Sequence, residues 1–479
     1  MHVRNSHTLR EWLRVLYTFY ADRNKVYPIR DKVLFLMWAM SCSCPPLPYP
    51  WNVLCPCSCP YFVILHSIPC PCVFMLLCSP PPLIYGAGCS WELSPRMCLA
   101  LKQIAENWKV MRRFTLSTLR NYGMGKRTIE DKIIEECNVL TKTIKANAGG
   151  LSFPPNALLV ITAAVSNIIV SILLGKRYDY EDPTFLRLLK IISENVHLTG
   201  TPNILLYNMF PMLGFLLGAR KKVTNNRKEF HDFLQTTFIE YLKNLDENDP
   251  RNFIDSFLIR QREKMANRYF HNENLKTVSS NLFAAGTETT GSTLRWAILL
   301  MMKYPEIQSK VQEEIAKEIG VRQPRIEDRS KMPYTDAVIH EIQRFSDIVP
   351  TNLPHATTKD ITFKGFFIPK GMQIVPLLSS VLRDESQWEK PYQFYPEHFL
   401  DSEGKFVKRD AFMPFSAGRR ICAGETLAKM ELFLFFTSLL QKFTFQPPPG
   451  ISKNDLNLMP ALGFTTPPMP YKTCAIPCS

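Results

Sequence analysis

The chain lacks an uninterrupted apolar run long enough to cross a membrane. A membrane-spanning helix needs about 20 consecutive apolar residues. Residues 33–39 are too few, and residues 61–77 are interrupted by histidine, serine and proline. The first 30 residues contain five arginines, but Glu11 and Asp22 lie among them, which argues against a transit peptide. The sequence therefore contains no clean targeting signal.

Cysteine is scarce after residue 98. Ten of the 14 cysteines precede residue 99, and the others are Cys137, Cys422, Cys474 and Cys478. The spacing of these four does not suggest a disulfide framework, so the body of the chain is predicted to be a reduced, intracellular protein.

Long basic runs interleaved with aromatic residues are also missing, which argues against nucleic-acid binding. The 479 residues nevertheless carry a net charge of +14, and 46% of them are hydrophobic, enough for a large core. The positive charge predicts an acidic protein partner or an anionic lipid surface.

Residues 41–90 alternate cysteine, proline and serine among apolar residues. Prolines at this density prevent a regular helix or an inner strand. The cysteine spacings are not those of a zinc site, although metal binding is the alternative. We therefore predict low-complexity sequence that packs poorly.

The most informative segment is residues 415–424, Phe-Ser-Ala-Gly-Arg-Arg-Ile-Cys-Ala-Gly, which places Cys422 just before a predicted helix. A helix N-terminus and nearby arginine favour a thiolate. A thiolate bound to haem iron favours cleavage of the O–O bond. The alternative is a buried structural cysteine.

This loop resembles the haem-ligand signature of the cytochromes P-450, Phe-x-x-Gly-x-Arg-x-Cys-x-Gly, at every fixed position. The resemblance implies that Cys422 is the axial thiolate ligand of haem b. It also implies that Phe415 packs over the sulfur and that Arg420 reaches a haem propionate. Gly418 and Gly424 would leave room for the backbone beside the porphyrin.

Two further motifs resemble propionate-binding positions of that family. Trp108 and Arg112 are four residues apart, so on a helix both can reach one carboxylate. An amphipathic helix with a core tryptophan would have the same pattern. By resemblance, His355 approaches the second propionate; from its context alone it is a loop histidine.

A long helix over residues 273–303 contains the sequence Ala-Gly-Thr-Glu-Thr-Thr at 285–290. Glycine and threonine are unfavourable inside a helix. The Thr289 hydroxyl can bond back to the Ala285 carbonyl and open a groove for dioxygen. Glu288 and Thr289 then form an acid–alcohol pair that can relay protons. The alternative is a helix–helix contact through small residues.

Glu341 and Arg344 are three residues apart on a predicted helix over residues 334–345. Such pairs are usually solvent-exposed. In the cytochromes P-450 the pair is buried and joins a residue of a later Pro-Glu-Arg-Phe segment. Here His398 replaces that arginine, as in animal microsomal members.

Other segments predict the scaffold. Residues 151–178 predict an apolar core helix, residues 306–319 a charged amphipathic helix, and residues 361–376 a hairpin. The apolar residues 205–217 are either core or, by resemblance, a membrane-dipping connection near the substrate entrance.

The resemblance covers roughly residues 107–479 and is greatest to the vertebrate microsomal second family, especially its fish and amphibian members. It implies a mainly α fold with a small β-sheet portion, and haem between a long central helix and the cysteine loop. We expect a monooxygenase domain over residues 99–479. Residues 1–98 match neither the anchor nor the first hairpin of the family, and we expect splicing or misprediction, with a divergent extension as the alternative.

The implied reaction inserts one atom of O2 into a lipophilic xenobiotic, fatty acid or steroid. Electrons come from NADPH through a flavoprotein reductase, with cytochrome b5 as a second donor, on the cytoplasmic face of the endoplasmic reticulum membrane. The candidate docking residues are Lys109, Arg113, Arg419 and Lys429. Two alternatives remain: a haem-thiolate isomerase or synthase, and a non-catalytic haem binder whose N-terminal pocket is disrupted.

Overall fold

The computed structural model describes residues 95–147, 158–204, 218–263 and 268–478, all within the structural unit Tyr61–Ser479. Residues 1–94 of the predicted N-terminal region and the apolar segment 205–217 lie outside the described residues. Within the described ranges, no helix is both long and apolar enough to cross a membrane.

Helices make up most of the described chain, as predicted. In chain order they are α1 (Pro95–Asn121), α2 (Arg127–Asn147), α3 (Leu158–Leu174), α4 (Pro183–Thr199), α5 (Gly218–Lys243), α6 (Phe253–Arg262), α7 (Asn272–Lys303), α8 (Pro305–Glu318), α9 (Pro333–Ser346), α10 (Leu378–Leu382) and α11 (Glu425–Lys442). The predicted helices at 273–303, 306–319 and 334–345 are confirmed to within about a residue at each end. The core helix predicted over 151–178 is present from Leu158 to Leu174, so it ends four residues earlier than predicted, and Ile161, Val165, Ile168 and Ile172 are buried.

The described strands form three antiparallel pairs: β1 (His355–Ala356) with β4 (Gln373–Ile374), β2 (Ile361–Phe363) with β3 (Phe366–Ile368), and β5 (Phe443–Gln446) with β6 (Cys474–Pro477). The hairpin predicted over residues 361–376 is present as β2–β3 over residues 361–368, whereas residues 373–374 form β4 and pair with β1 instead. Its turn uses Gly365 at φ +85°, a conformation that glycine adopts without strain. The small β portion is therefore confirmed.

The central helix α7 packs closely against α3. A Cβ atom on Gly286 would lie 2.5 Å from Cδ1 of Ile169, and one on Gly291 would lie 3.1 Å from Oγ1 of Thr162. On the same side, the hydroxyls of Thr287 and Ser166 are 2.6 Å apart. The contact through small residues, which the sequence left as an alternative, is therefore real on this face of α7.

A buried ion network ties α9 to the chain that precedes the cysteine loop. Arg344 is fully buried and donates two hydrogen bonds of 2.7 Å to the Glu341 carboxylate. It also donates to the carbonyls of Leu382, Pro391 and Gln393. His398 accepts the Lys390 N–H at Nε2, so its Nδ1 is the donor to Glu341 at 3.2 Å. The Glu341–Arg344 pair is thus buried, and His398 is the third residue of the network.

Candidate active site

The loop that carries Cys422 is held in an uncommon backbone conformation. Ser416 has φ +63° and Gly418 φ +71°, and the Asn352 side-chain amide donates to the Ser416 hydroxyl at 3.0 Å. The loop then turns back, and the Cys422 N–H donates to the Phe415 carbonyl at 3.0 Å. These bonds bring Phe415 beside Cys422, whose side chain remains accessible to solvent.

The Cys422 thiol has opposing electrostatic influences. Burial by surrounding protein atoms is the largest influence and raises its pKa, whereas the Gly424 and Glu425 N–H groups and Arg112 lower it. The net pKa is raised. The helix N-terminus and the arginine act in the predicted direction, favouring the thiolate, while desolvation acts against them and is the larger influence.

Trp108, Arg112, Arg420 and His355 come together beside this loop. The Arg420 guanidinium lies 3.4 Å from the centre of the Trp108 ring, and the Arg112 guanidinium 5.7 Å from it. Arg112 also donates to the Ile421 carbonyl at 2.6 Å. The pKa of His355 is lowered by desolvation and by the charge of Arg420. Residues more than 300 positions apart therefore form one cationic cluster.

This cluster fits an anionic group. None of the residues that the structure describes forms an ion pair with Arg112. A haem carries two propionates, and an indole N–H, two guanidiniums and an imidazole are suitable donors to them. The accessible Cys422 sulfur completes a donor set that fits haem. The space beside Gly418 is open, since no described atom would lie within 4 Å of a Cβ placed on that residue.

The central helix presents one accessible strip within an otherwise buried segment. Asn281 and Ala285 are exposed and Thr289 is partly exposed, each four residues after the last. The Thr289 hydroxyl donates to the Ala285 carbonyl at 2.7 Å, which is the predicted bond. The strip lies on a different face of α7 from Gly286, so the predicted hydrogen bond and the small-residue contact occupy separate faces of the helix.

Glu288 has partners that the sequence reasoning missed. Its carboxylate accepts from the Ser292 hydroxyl at 2.8 Å and from Arg295 at 3.2 Å. All three side chains lie largely within the protein. The spacing of four and seven residues places them along one face of a helix, and this signal could have identified them.

The comparison with known families agrees with this geometry. The family described as Cytochrome P-450 matches residues 96–475. The chain belongs to the cytochrome P-450 family. Cytochromes P-450 are haem-thiolate proteins with an axial cysteine, and the predicted fold, cofactor and monooxygenase class are confirmed.

Several curated cytochromes P-450 resemble the chain closely. Cytochrome P-450 2K1 of Oncorhynchus mykiss is 50% identical over 379 residues, covering 78% of this chain and 74% of the relative. Cytochrome P-450 2K6 of Danio rerio is 50% identical over 375 residues, covering 78% and 74%. Cytochrome P-450 2C5 of Oryctolagus cuniculus is 48% identical over 377 residues, covering 78% and 76%. The predicted resemblance to the vertebrate second family, with fish-like members, is confirmed.

Proposed function

We propose that this cytochrome P-450 inserts one atom of O2 into a lipophilic substrate, with electrons from NADPH delivered by a flavoprotein reductase. The observation that carries the proposal is the Cys422 loop: an accessible sulfur that meets two backbone N–H groups at the start of α11. We assign the catalytic domain to residues 99–479, in agreement with the family match over residues 96–475.

Bound haem would supply the iron at which dioxygen is reduced and cleaved. In our assignment Cys422 holds the iron through its thiolate, and Phe415 shields the sulfur. Trp108 and Arg112 hold one propionate. Arg420 also reaches a propionate, and His355 approaches the second one, although both residues lie more than 200 positions later in the chain than Arg112. Gly418 and Gly424 keep side chains away from the porphyrin edge, since neither carries a Cβ.

Thr289 is the proton-bearing group at the accessible strip of α7. Its hydroxyl hydrogen is engaged by the Ala285 carbonyl, so the oxygen lone pairs are free to accept a proton donor such as water. Glu288 directly precedes it in the chain and supplies the acid of the pair. An ordered acid and alcohol next to the cofactor favour oxygen cleavage over the isomerase or synthase alternative.

Apolar side chains support a lipophilic substrate. Leu353 and Leu462 are 59% and 48% exposed. Leu282 is only partly buried on α7, one turn before Gly286. We propose xenobiotics, fatty acids or steroids as the substrate class.

The positive face with Lys109, Arg113, Arg419 and Lys429 would receive the acidic reductase, with cytochrome b5 as a second donor. A microsomal redox system implies attachment at the endoplasmic reticulum membrane, and we propose its cytoplasmic face as the location.

The test is the reduced, carbon-monoxide difference spectrum of the full-length protein together with Cys422→Ser and Cys478→Ser. We expect a red-shifted Soret band in the wild type and in the exposed-cysteine control Cys478→Ser, and its loss in Cys422→Ser. Turnover under heavy-isotope dioxygen should place one labelled atom in the product. A red-shifted band that survives in Cys422→Ser would refute the ligand assignment, and unlabelled product would support the isomerase alternative.

A further inference from the structure

The acid and the alcohol of α7 point in opposite directions along the helix. The Thr289 hydroxyl donates to the carbonyl of Ala285, four residues earlier. The Glu288 carboxylate instead accepts from Ser292, four residues later, and from Arg295, seven residues later. Glu288 is therefore held on the C-terminal side of the Glu288–Thr289 pair.

Arg295 is the cation of this arrangement. Its Nη2 donates to both the Glu288 carboxylate at 3.2 Å and the Ser292 hydroxyl at 2.8 Å. The side chains of Arg295 and Glu288 are only 19% and 7% exposed. A carboxylate this deeply buried is unfavourable unless it is paired and hydrogen-bonded, so Glu288 depends on Arg295.

The C-terminal part of the chain packs onto α7 at the same point. The Tyr471 hydroxyl donates to the Arg295 carbonyl at 2.6 Å, and the Trp296 indole donates to the Thr466 carbonyl at 2.8 Å. Both bonds link α7 to residues 466–471, which lie about 170 positions later in the chain. They hold the turn of α7 that carries Arg295, and the Arg295 guanidinium in turn holds Glu288.

We propose that Arg295 is a positioning residue for proton delivery: it orders the Glu288 carboxylate and the Ser292 hydroxyl behind Thr289, and Tyr471 supports it. This inference rests on the proposed monooxygenase function, because Glu288 matters only if protons must be delivered for oxygen cleavage. In this proposal Arg295 acts through Glu288 and not on the substrate or the cofactor directly.

The first test is a stability cycle that needs no turnover. Urea unfolding midpoints of the ferric holoprotein are measured for Arg295→Leu, Glu288→Gln and the double variant. We expect Arg295→Leu to lower the midpoint clearly and Glu288→Gln to restore much of that loss in the double variant, since no unpaired carboxylate then remains. Strictly additive effects would overturn the pairing.

The second test measures product formed per NADPH consumed. We expect Arg295→Leu to lower this ratio several-fold, Arg295→Lys to recover most of it, and Glu288→Gln to cause no further loss in the Arg295→Leu background. Tyr471→Phe should cause a smaller loss in the same direction. The control is Arg187→Leu, which removes an exposed pair with Glu229 outside the site and should leave the ratio unchanged.

Wild-type coupling in Arg295→Leu, or losses that multiply in the double variant, would overturn the positioning role even if the variant were less stable. If the wild type shows the red-shifted carbon-monoxide band but forms no oxygenated product, the proposed function fails instead. The unfolding cycle then still decides whether Arg295 holds Glu288.

Discussion

Two buried carboxyl groups on neighbouring helices differ in their hydrogen-bond and ion-pair partners. Glu288 on α7 has a guanidinium and a hydroxyl as partners. Glu431 on α11 is fully buried; among the described residues its Oε1 has no hydrogen-bond partner, and Thr290 of α7 contributes a hydrogen bond to the carboxyl group. Burial therefore raises the pKa of Glu431 well above its ordinary value, because desolvation disfavours the charged carboxylate.

This difference predicts the pH dependence of Glu431→Gln. A carboxyl whose folded-state pKa is raised stabilises the fold below its unfolded pKa and loses that contribution as pH rises. The unfolding free energy of the wild type should therefore fall relative to Glu431→Gln as pH rises above about 4.5, by at most about 1.4 kcal/mol per pH unit. Urea unfolding of both proteins between about pH 5 and about pH 8 measures this. A constant difference across that range would contradict a raised pKa.

Thr289→Ala tests the alcohol of the same helix. The change removes the hydroxyl that bonds Ala285 while keeping a residue of good helix propensity, so the fold should remain intact. We expect NADPH and oxygen consumption to continue while product per NADPH falls several-fold, because loss of a proton-transfer group typically costs about 10²–10⁴-fold in rate. Thr289→Ser is the matched control and should retain most of the coupling. Unchanged coupling in Thr289→Ala would favour the isomerase or synthase alternative.

At the scale of elements, the central helix α7 uses two different faces, one for packing against α3 and one that remains accessible. One face approaches α3 so closely that Gly286 has no room for a Cβ beside Ile169. Another face leaves Ala285 and Thr289 accessible. The low helix propensity of this segment follows from both requirements, because close packing needs glycine and the accessible groove uses threonine.

Gly286→Val should therefore destabilise the α3–α7 contact. The added side chain overlaps the Ile169 side chain, and overpacking of this kind costs about 1–3 kcal/mol. Ile169→Ala removes the overlapping atoms, so the double variant should be more stable than the sum of the two single losses predicts. Urea unfolding of the four proteins gives the coupling directly. Additive losses of unfolding free energy would mean that the side chains at positions 286 and 169 do not overlap, which would contradict the close α3–α7 contact.

At the scale of the whole molecule, the excess positive charge is unevenly neutralised. Lys109 pairs with Glu106 at 2.8 Å, and Lys429 with Glu425 at 2.7 Å. Arg113 and Arg419 are exposed, and no described residue forms an ion pair with either of them. The two arginines should therefore contribute more to the attraction of an acidic partner than the two lysines.

This predicts a graded effect of charge reversal on reductase-supported turnover. Arg113→Glu and Arg419→Glu should raise the reductase concentration needed for half-maximal rate several-fold, and Lys109→Glu less. Rising ionic strength should weaken the encounter, since the Debye length is only about 10 Å at about 0.1 M salt. The control is Lys190→Glu on the exposed side of α4. If the wild type and the four variants need the same reductase concentration for half-maximal rate at every salt concentration, docking at this face is rejected.

The amino-acid sequence by itself determined those features that depend on local pattern and residue chemistry. The sequence pattern predicted the helices at 273–303, 306–319 and 334–345 to within about a residue. The Phe-x-x-Gly-x-Arg-x-Cys-x-Gly loop predicted the family and its haem-thiolate cofactor. The Thr289–Ala285 bond could also be predicted, because its partners are four residues apart on one helix.

Only the tertiary structure decided the features that depend on burial and on contacts between distant segments. Burial makes the Cys422 thiol pKa higher than the helix N-terminus suggests. Trp108 meets Arg420 across more than 300 residues, and Tyr471 reaches Arg295 across 176. Desolvation and long-range pairing are properties of the packed chain and leave no periodic trace in the sequence, so they follow only once the helices are in place.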